Sequence, residues 1–158
     1  MKRGCRRGFA LIELLITVAI LAVLAGSAMS FIDLTVRRGK EQDLRAALRD
    51  IRQAIDAYKA ASDAHRLARS ADETGYPRTL AELTDGVVDS TSAKGDKIYF
   101  MRRLPRDPFA DPALPAEQTW GLRSYSSPPD DPQPGRDVYD VYSSSQRIGL
   151  NGQPYRDW

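Results

Sequence analysis

The only formal charge between Phe9 and Ile32 is the carboxylate of Glu13, set in the apolar run FALIELLITVAILAVLAGSAMSFI. Placing an ionisable group at membrane depth costs about 2.5–3.5 kcal/mol, so such a residue marks a functional site that needs a partner. Other chemistry is sparse. His65 is the single histidine and Cys5 the single cysteine, which excludes an internal disulfide and a Cys-based zinc site. Ser143-Ser144-Ser145 lacks the Gly-x-Ser-x-Gly setting of a nucleophile elbow, and no phosphate loop or dinucleotide fingerprint is present. The chain is therefore expected not to be an enzyme.

The elements that must hold Glu13 follow from the distribution of residue types. With 158 residues there is room for one core, and the net charge of +2 invites a nucleic-acid reading. Four of the 23 basic residues, Lys2, Arg3, Arg6 and Arg7, fall in the first seven positions. Without them 19 basic residues face 21 acidic ones, and no basic binding surface is expected. From Phe9 to Ile32 an α-helix would reach roughly 36 Å, enough to cross a hydrocarbon core of about 30 Å, with the basic head on the cytoplasmic side. A secretory signal with cleavage near Gly26-Ser27-Ala28 is the competing assignment, but its apolar core is normally about 7–15 residues and does not include a carboxylate. A plain membrane anchor also leaves Glu13 unexplained.

The stretch Arg7-Gly8-Phe9-Ala10-Leu11-Ile12-Glu13-Leu14-Leu15 resembles the processing signature of type IV prepilins and type II secretion pseudopilins. The resemblance implies a leader at residues 1–8, cleavage between Gly8 and Phe9 by a prepilin peptidase, and N-methylation of the Phe9 amine. Glu13 would then sit one helical turn from that amine, as a counter-ion for its own or a neighbouring copy's N-terminus, setting axial register in a filament. Many members carry Pro at the position of Ser30, so a kink here would rest on the weaker breakers Gly26 and Ser27.

Beyond the apolar run, Leu44, Ala47, Leu48, Ile51, Ala54, Ile55 and Tyr58 recur at helical spacing, and Glu41, Arg45, Arg49, Arg52, Asp56 and Lys59 fill the opposite face. This predicts one helix over about 9–64, with a transmembrane segment at about 9–32 and with Glu41–Arg45 and Arg52–Asp56 pairs on its solvent side. Residues 65–158 read as loops and short strands. A capping box at Thr79–Glu82 predicts a short helix, and strands are expected at Ile98–Met101, Leu122–Ser126 and Val138–Ser143. The fold class is α+β and pilin-like, one long N-terminal helix, its first half membrane-spanning, packed on a small antiparallel sheet.

Gly75-Tyr76-Pro77, Leu104-Pro105-Arg106-Asp107-Pro108-Phe109 and Tyr139-Asp140-Val141-Tyr142-Ser143 follow in an order similar to the major pseudopilin of type II secretion. That resemblance implies a structural subunit of a pseudopilus driving protein export across the outer membrane. Its partners would be further copies of itself in a helical homo-oligomer, the minor pseudopilins and the inner-membrane assembly platform, with no nucleic acid expected. The implied location is the bacterial inner membrane, single-pass, with residues 65–158 in the periplasm. The alternative is a type IV pilin or minor pilin serving adhesion, motility or DNA uptake. Major pseudopilins also bind calcium in the last loop, but Ser143–Gly152 has no carboxylate here. Calcium needs about six to eight oxygens, so Asp130, Asp131, Asp137 and Asp140 are the remaining candidates, against the plainer view of a solvated acidic turn. The ending Asn151-Gly152-Gln153-Pro154-Tyr155-Arg156-Asp157-Trp158 is expected to pack its aromatics over the loop in place of a metal.

Overall fold

The computed structural model describes residues 7–70 and 72–158, with the side chains of 11–24, 33–70 and 72–158. The chain divides into two compact units, Met1–Gly39 and Lys40–Trp158. Helix α1 runs over Arg7–Asp63, unbroken through Gly26, Ser27 and Ser30, so the absent proline is matched by a continuous helix. In the first unit, residues 11–24 are exposed throughout, with Leu11, Leu15 and Val23 about 70% accessible. Among the described residues no helix is long and apolar enough to cross a membrane. The expected span also takes in residues 9, 10 and 25–32, whose side chains lie outside the described residues.

The second unit is built on the amphipathic part of α1. Leu44, Leu48, Ile51 and Ile55 are fully buried against Leu80, Leu83, Trp120, Val138, Val141 and Tyr155. Burial of each such side chain contributes about 1.5–3 kcal/mol, which makes this stripe the principal source of stability. α1 ends on a Schellman motif: Arg66 N–H donates to Ala61 C=O and His65 N–H to Ser62 C=O, both at 3.0 Å. His65 occupies the left-handed position usually held by glycine, with φ of 58°. The lone histidine is thus an exposed helix cap.

The rest of the unit departs from one three-stranded sheet. Helix α2 (Ala81–Asp85) is followed by β1 (Val87–Val88) and β2 (Lys97–Ile98), an antiparallel pair; β3 (Trp120–Arg123) and β4 (Asp140–Ser143) form a second. The expected strand at Ile98–Met101 stops after Ile98 because Phe100 and Met101 N–H turn to the C=O of Leu83. In the second pair Gly121 faces Tyr142, whose ring would lie 2.2 Å from any Cβ at that position. Only glycine lets the ring lie flat on the strand. The capping box does not form: Thr79 makes no side-chain cap, and the Glu82 carboxylate instead accepts from Arg78 N–H (3.1 Å) and Tyr58 O–H (2.9 Å).

The polar face of α1 is also used differently from the expectation. Glu41 is buried, accepting from Leu150 N–H at 2.8 Å and Tyr155 O–H at 2.9 Å. Arg52 turns away from Asp56 to pair with Asp140 at 2.8 Å and donates to the carbonyl oxygens of Val141 and Trp158, each at 3.0 Å. Intrahelical pairs are worth only a few tenths of a kcal/mol, so partners that also hold the C-terminus prevail. Because non-glycine residues pay for the left-handed conformation, His65→Gly is expected to raise stability by about 0.5–1 kcal/mol in denaturant unfolding. A lower midpoint would show that the His65 side chain contributes more than its backbone strain costs.

Candidate functional site

The residues expected to serve processing and assembly lie together near the start of α1. Phe9 and Glu13 are four residues apart on one helix, hence one turn, and Glu13 is exposed among exposed apolar neighbours. Residues 1–6 of the expected leader and the Phe9 side chain lie outside the described residues. A carboxylate on an apolar, uncovered helix face offers one specific interaction, pairing with a cation brought to the same depth. The exposed apolar surface around it is of the kind that burial in a membrane or against other helices removes from water.

The four acids considered for calcium are not brought into one ligand set. Asp137 is buried and its carboxylate accepts from Thr74 O–H (2.6 Å), Ser124 O–H (2.9 Å) and Tyr125 N–H (2.8 Å). Burial opposes its ionisation, but these three donors prevail and hold the carboxyl below its ordinary range. Asp140 lies in β4, not in a solvated turn, and is engaged by Arg52 and by Arg123 at 3.3 Å. Asp130 and Asp131 stand in the exposed loop between β3 and β4, where Asp131 accepts from the Gln133 amide. Among the described residues no three His, Cys, Asp or Glu side chains are grouped to hold a metal. The donor set therefore does not fit calcium: two carboxylates already serve the fold and two face solvent.

The C-terminal aromatics do pack as the sequence suggests. Tyr155 is fully buried, stacked on Phe109 at 4.1 Å and edge-on to Trp158 at 5.0 Å, while the Arg45 guanidinium lies 4.3 Å from the Trp158 ring centre. The burial of three acids, Glu41, Asp89 and Asp107, escaped the sequence reasoning. Asp107 binds Phe109 N–H at 2.7 Å and the Ser143 hydroxyl, fixing the Leu104–Phe109 turn to β4. Its signal was the Asp-Pro pair at 107–108, a turn former whose side chain commonly takes a backbone N–H two residues on. Glu41 carried no such local signal, because its partners are more than a hundred residues away.

Residues 3–29 match the family model described as Prokaryotic N-terminal methylation motif. No curated protein and no solved structure matches the chain. The matched segment contains Gly8, Phe9 and Glu13, and it supports a type IV pilin-like or pseudopilin protein, for which no catalytic family is indicated. It implies processing by a prepilin peptidase and assembly into pilus-like filaments in the cell envelope.

Two expectations follow for the second unit. Asp89 receives Thr91 O–H, the Arg66 guanidinium and Thr91 N–H, which lower its pKa to about 2. A carboxyl depressed on folding stabilises fully above its unfolded value of about 4, and the contribution disappears as pH falls toward 2. The denaturant midpoint should be flat between about pH 7 and 5 and fall from about pH 4 to 2; Asp89→Asn should be less stable at neutral pH and lose less on acidification. For calcium, the melting temperature of the full chain in detergent should be the same in EDTA as in excess calcium. A rise of several degrees with calcium, lost in Asp140→Ala, would contradict the geometry.

Proposed function

We propose that the chain is a structural subunit of a type II secretion pseudopilus, an envelope filament that drives protein export. Cleavage between Gly8 and Phe9 and methylation of the new amine make the mature subunit, and residues 9–32 hold it in the inner membrane until assembly, with residues 65–158 in the periplasm. The observation that carries this reading is the methylation motif over residues 3–29, with Glu13 fixed one turn after Phe9. The exposed apolar face of residues 11–24 supports it, because such a surface is stable only when covered. The absence of any internal disulfide supports the secretion filament over a pilus whose C-terminal loop is closed by one.

In the mature filament the Glu13 carboxylate pairs with a Phe9 amine. Between copies this pairing penalises any register that strands a charge in the helical core, so it selects one axial offset without contributing much net stability. Intact mass of membrane-purified protein tests the processing: a methylated chain beginning at Phe9 is expected, and an uncut chain or cleavage near Ala28 would overturn it. Glu13→Leu should insert as well as the wild type yet fail to assemble. Equal assembly by that variant would rule out the charge-pair register.

A further inference from the structure

The geometry points to a head-to-tail contact between the second units of neighbouring copies, in which the acidic, proline-rich loop after β3 docks in a cationic groove beside α1 of the next copy. This rests on the filament reading and names a surface for it. The groove is open and of about 520 Å3, formed where Asp50 and Ala57 of α1 meet Phe100, Met101 and Pro105. Arg102 and Arg103 also line it, exposed and without an ion-pair partner among the described residues. Asp50 offsets one of these charges, and the groove keeps a net positive charge.

The loop has the complementary chemistry. Its sequence Ser127-Pro128-Pro129-Asp130-Asp131-Pro132 offers three apolar rings and two carboxylates, and Pro128 to Asp131 are exposed. Neither aspartate has an ion pair among the described residues; the nearby Arg52 and Arg123 are taken by Asp140. The loop is also held in shape. Ser124 N–H donates to Gln133 C=O at 3.0 Å, Gln133 N–H to the Ser127 hydroxyl at 2.8 Å, and that hydroxyl to Asp131 C=O at 3.1 Å. Little entropy remains to be lost on docking, and prolines suit a groove floored by Phe, Met and Pro side chains.

Placement decides which partner. Pro129 and Asp130 line a hollow with Arg52, whereas the groove is lined by Asp50, Gln53 and Ala57. At 100° per residue those two sets lie roughly 130° apart around α1, on either side of the buried stripe. A copy cannot satisfy its own groove with its own loop across the helix, but each copy presents one of each. Such a contact is heterologous, and where its rotation does not close a ring it propagates as an open helix, as a filament requires. Being electrostatic and exposed, it should weaken as salt rises.

Charge exchange in the full-length chain tests this by co-purification of two differently tagged copies from detergent-solubilised membranes. One variant carries Arg102→Glu and Arg103→Glu, the other Asp130→Lys and Asp131→Lys. Each alone sets like charge against like and is expected to self-associate at least tenfold less than wild type, with an unchanged melting temperature. Mixed together they restore both junctions, loop to groove in each direction, and association should return to within about twofold of wild type. Wild-type association by each variant alone, or no recovery in the mixture, would overturn the contact. Glu13→Leu in the same assay separates the two layers. If it abolishes association while the charge variants do not matter, the filament reading stands and this surface is wrong; if it associates as wild type does while the charge variants do not, this surface stands and the charge-pair register at Glu13 is wrong.

Discussion

The apolar stripe of α1 from Leu44 to Ile55 must be covered by a chain that, among its described residues, forms only four short strands in two separate pairs. Sheet hydrogen bonding is too limited to do this, so coverage depends on polar ties from α1 to distant segments. Glu41 holds Leu150 and Tyr155, Arg52 holds Asp140, Val141 and Trp158, and Tyr58 holds Glu82. These ties lie along one helix and catch the chain at five places between residue 82 and the C-terminus. Each involves a charged group, and such hydrogen bonds are worth about 1.5–3 kcal/mol when made and more when broken under burial. Burial of the Tyr58 hydroxyl and its bond to Glu82 push its ionisation well above the ordinary phenol range, so it remains a donor at all physiological pH.

The acids of this protein divide by environment. Glu41, Asp89, Asp107 and Asp137 are buried and spend their oxygens on backbone and hydroxyl donors of the fold. Glu13, Asp130 and Asp131 are exposed, and among the described residues none of them is tied to a distant segment; the Asp131 carboxylate accepts only from the neighbouring Gln133 amide. On the proposed filament reading it is this second group that contacts other copies: Glu13 within the helical core and the two aspartates at the surface of the folded unit. A filament subunit needs both, since the same side chain cannot hold the monomer together and remain available to the next copy.

What was legible in the sequence was local. The helical spacing of Leu44, Ile51 and Ile55 announced the buried stripe, and the Gly8-Phe9-Glu13 spacing announced the motif that the family comparison matches. A strand over Val138–Ser143 was legible too, formed at Asp140–Ser143, but which of its faces turns inward was not: Val141 and Ser143 are the buried ones. What failed was any feature decided by distant partners. Glu41 and Arg52 were placed on a solvent face because helical periodicity sees only α1, whereas Tyr155 and Asp140 approach from the far end of the chain. Strand ends shifted for the same reason: the Phe100 and Met101 amides found the Leu83 carbonyl instead of a neighbouring strand. Asp137 looked like a solvated turn acid until Thr74, sixty-three residues earlier, supplied its hydroxyl.

On the proposed reading this chain becomes a filament subunit only after cleavage ahead of Phe9, when the new amine can meet Glu13. Electron microscopy of cells overproducing the full chain with a matching secretion machinery, with and without the prepilin peptidase, tests it most directly. The account predicts envelope filaments labelled by antibody to the 65–158 region when the peptidase is present, and none when it is deleted although the chain accumulates in the membrane. Filaments formed equally in both strains, or absent from both at high expression, would contradict it.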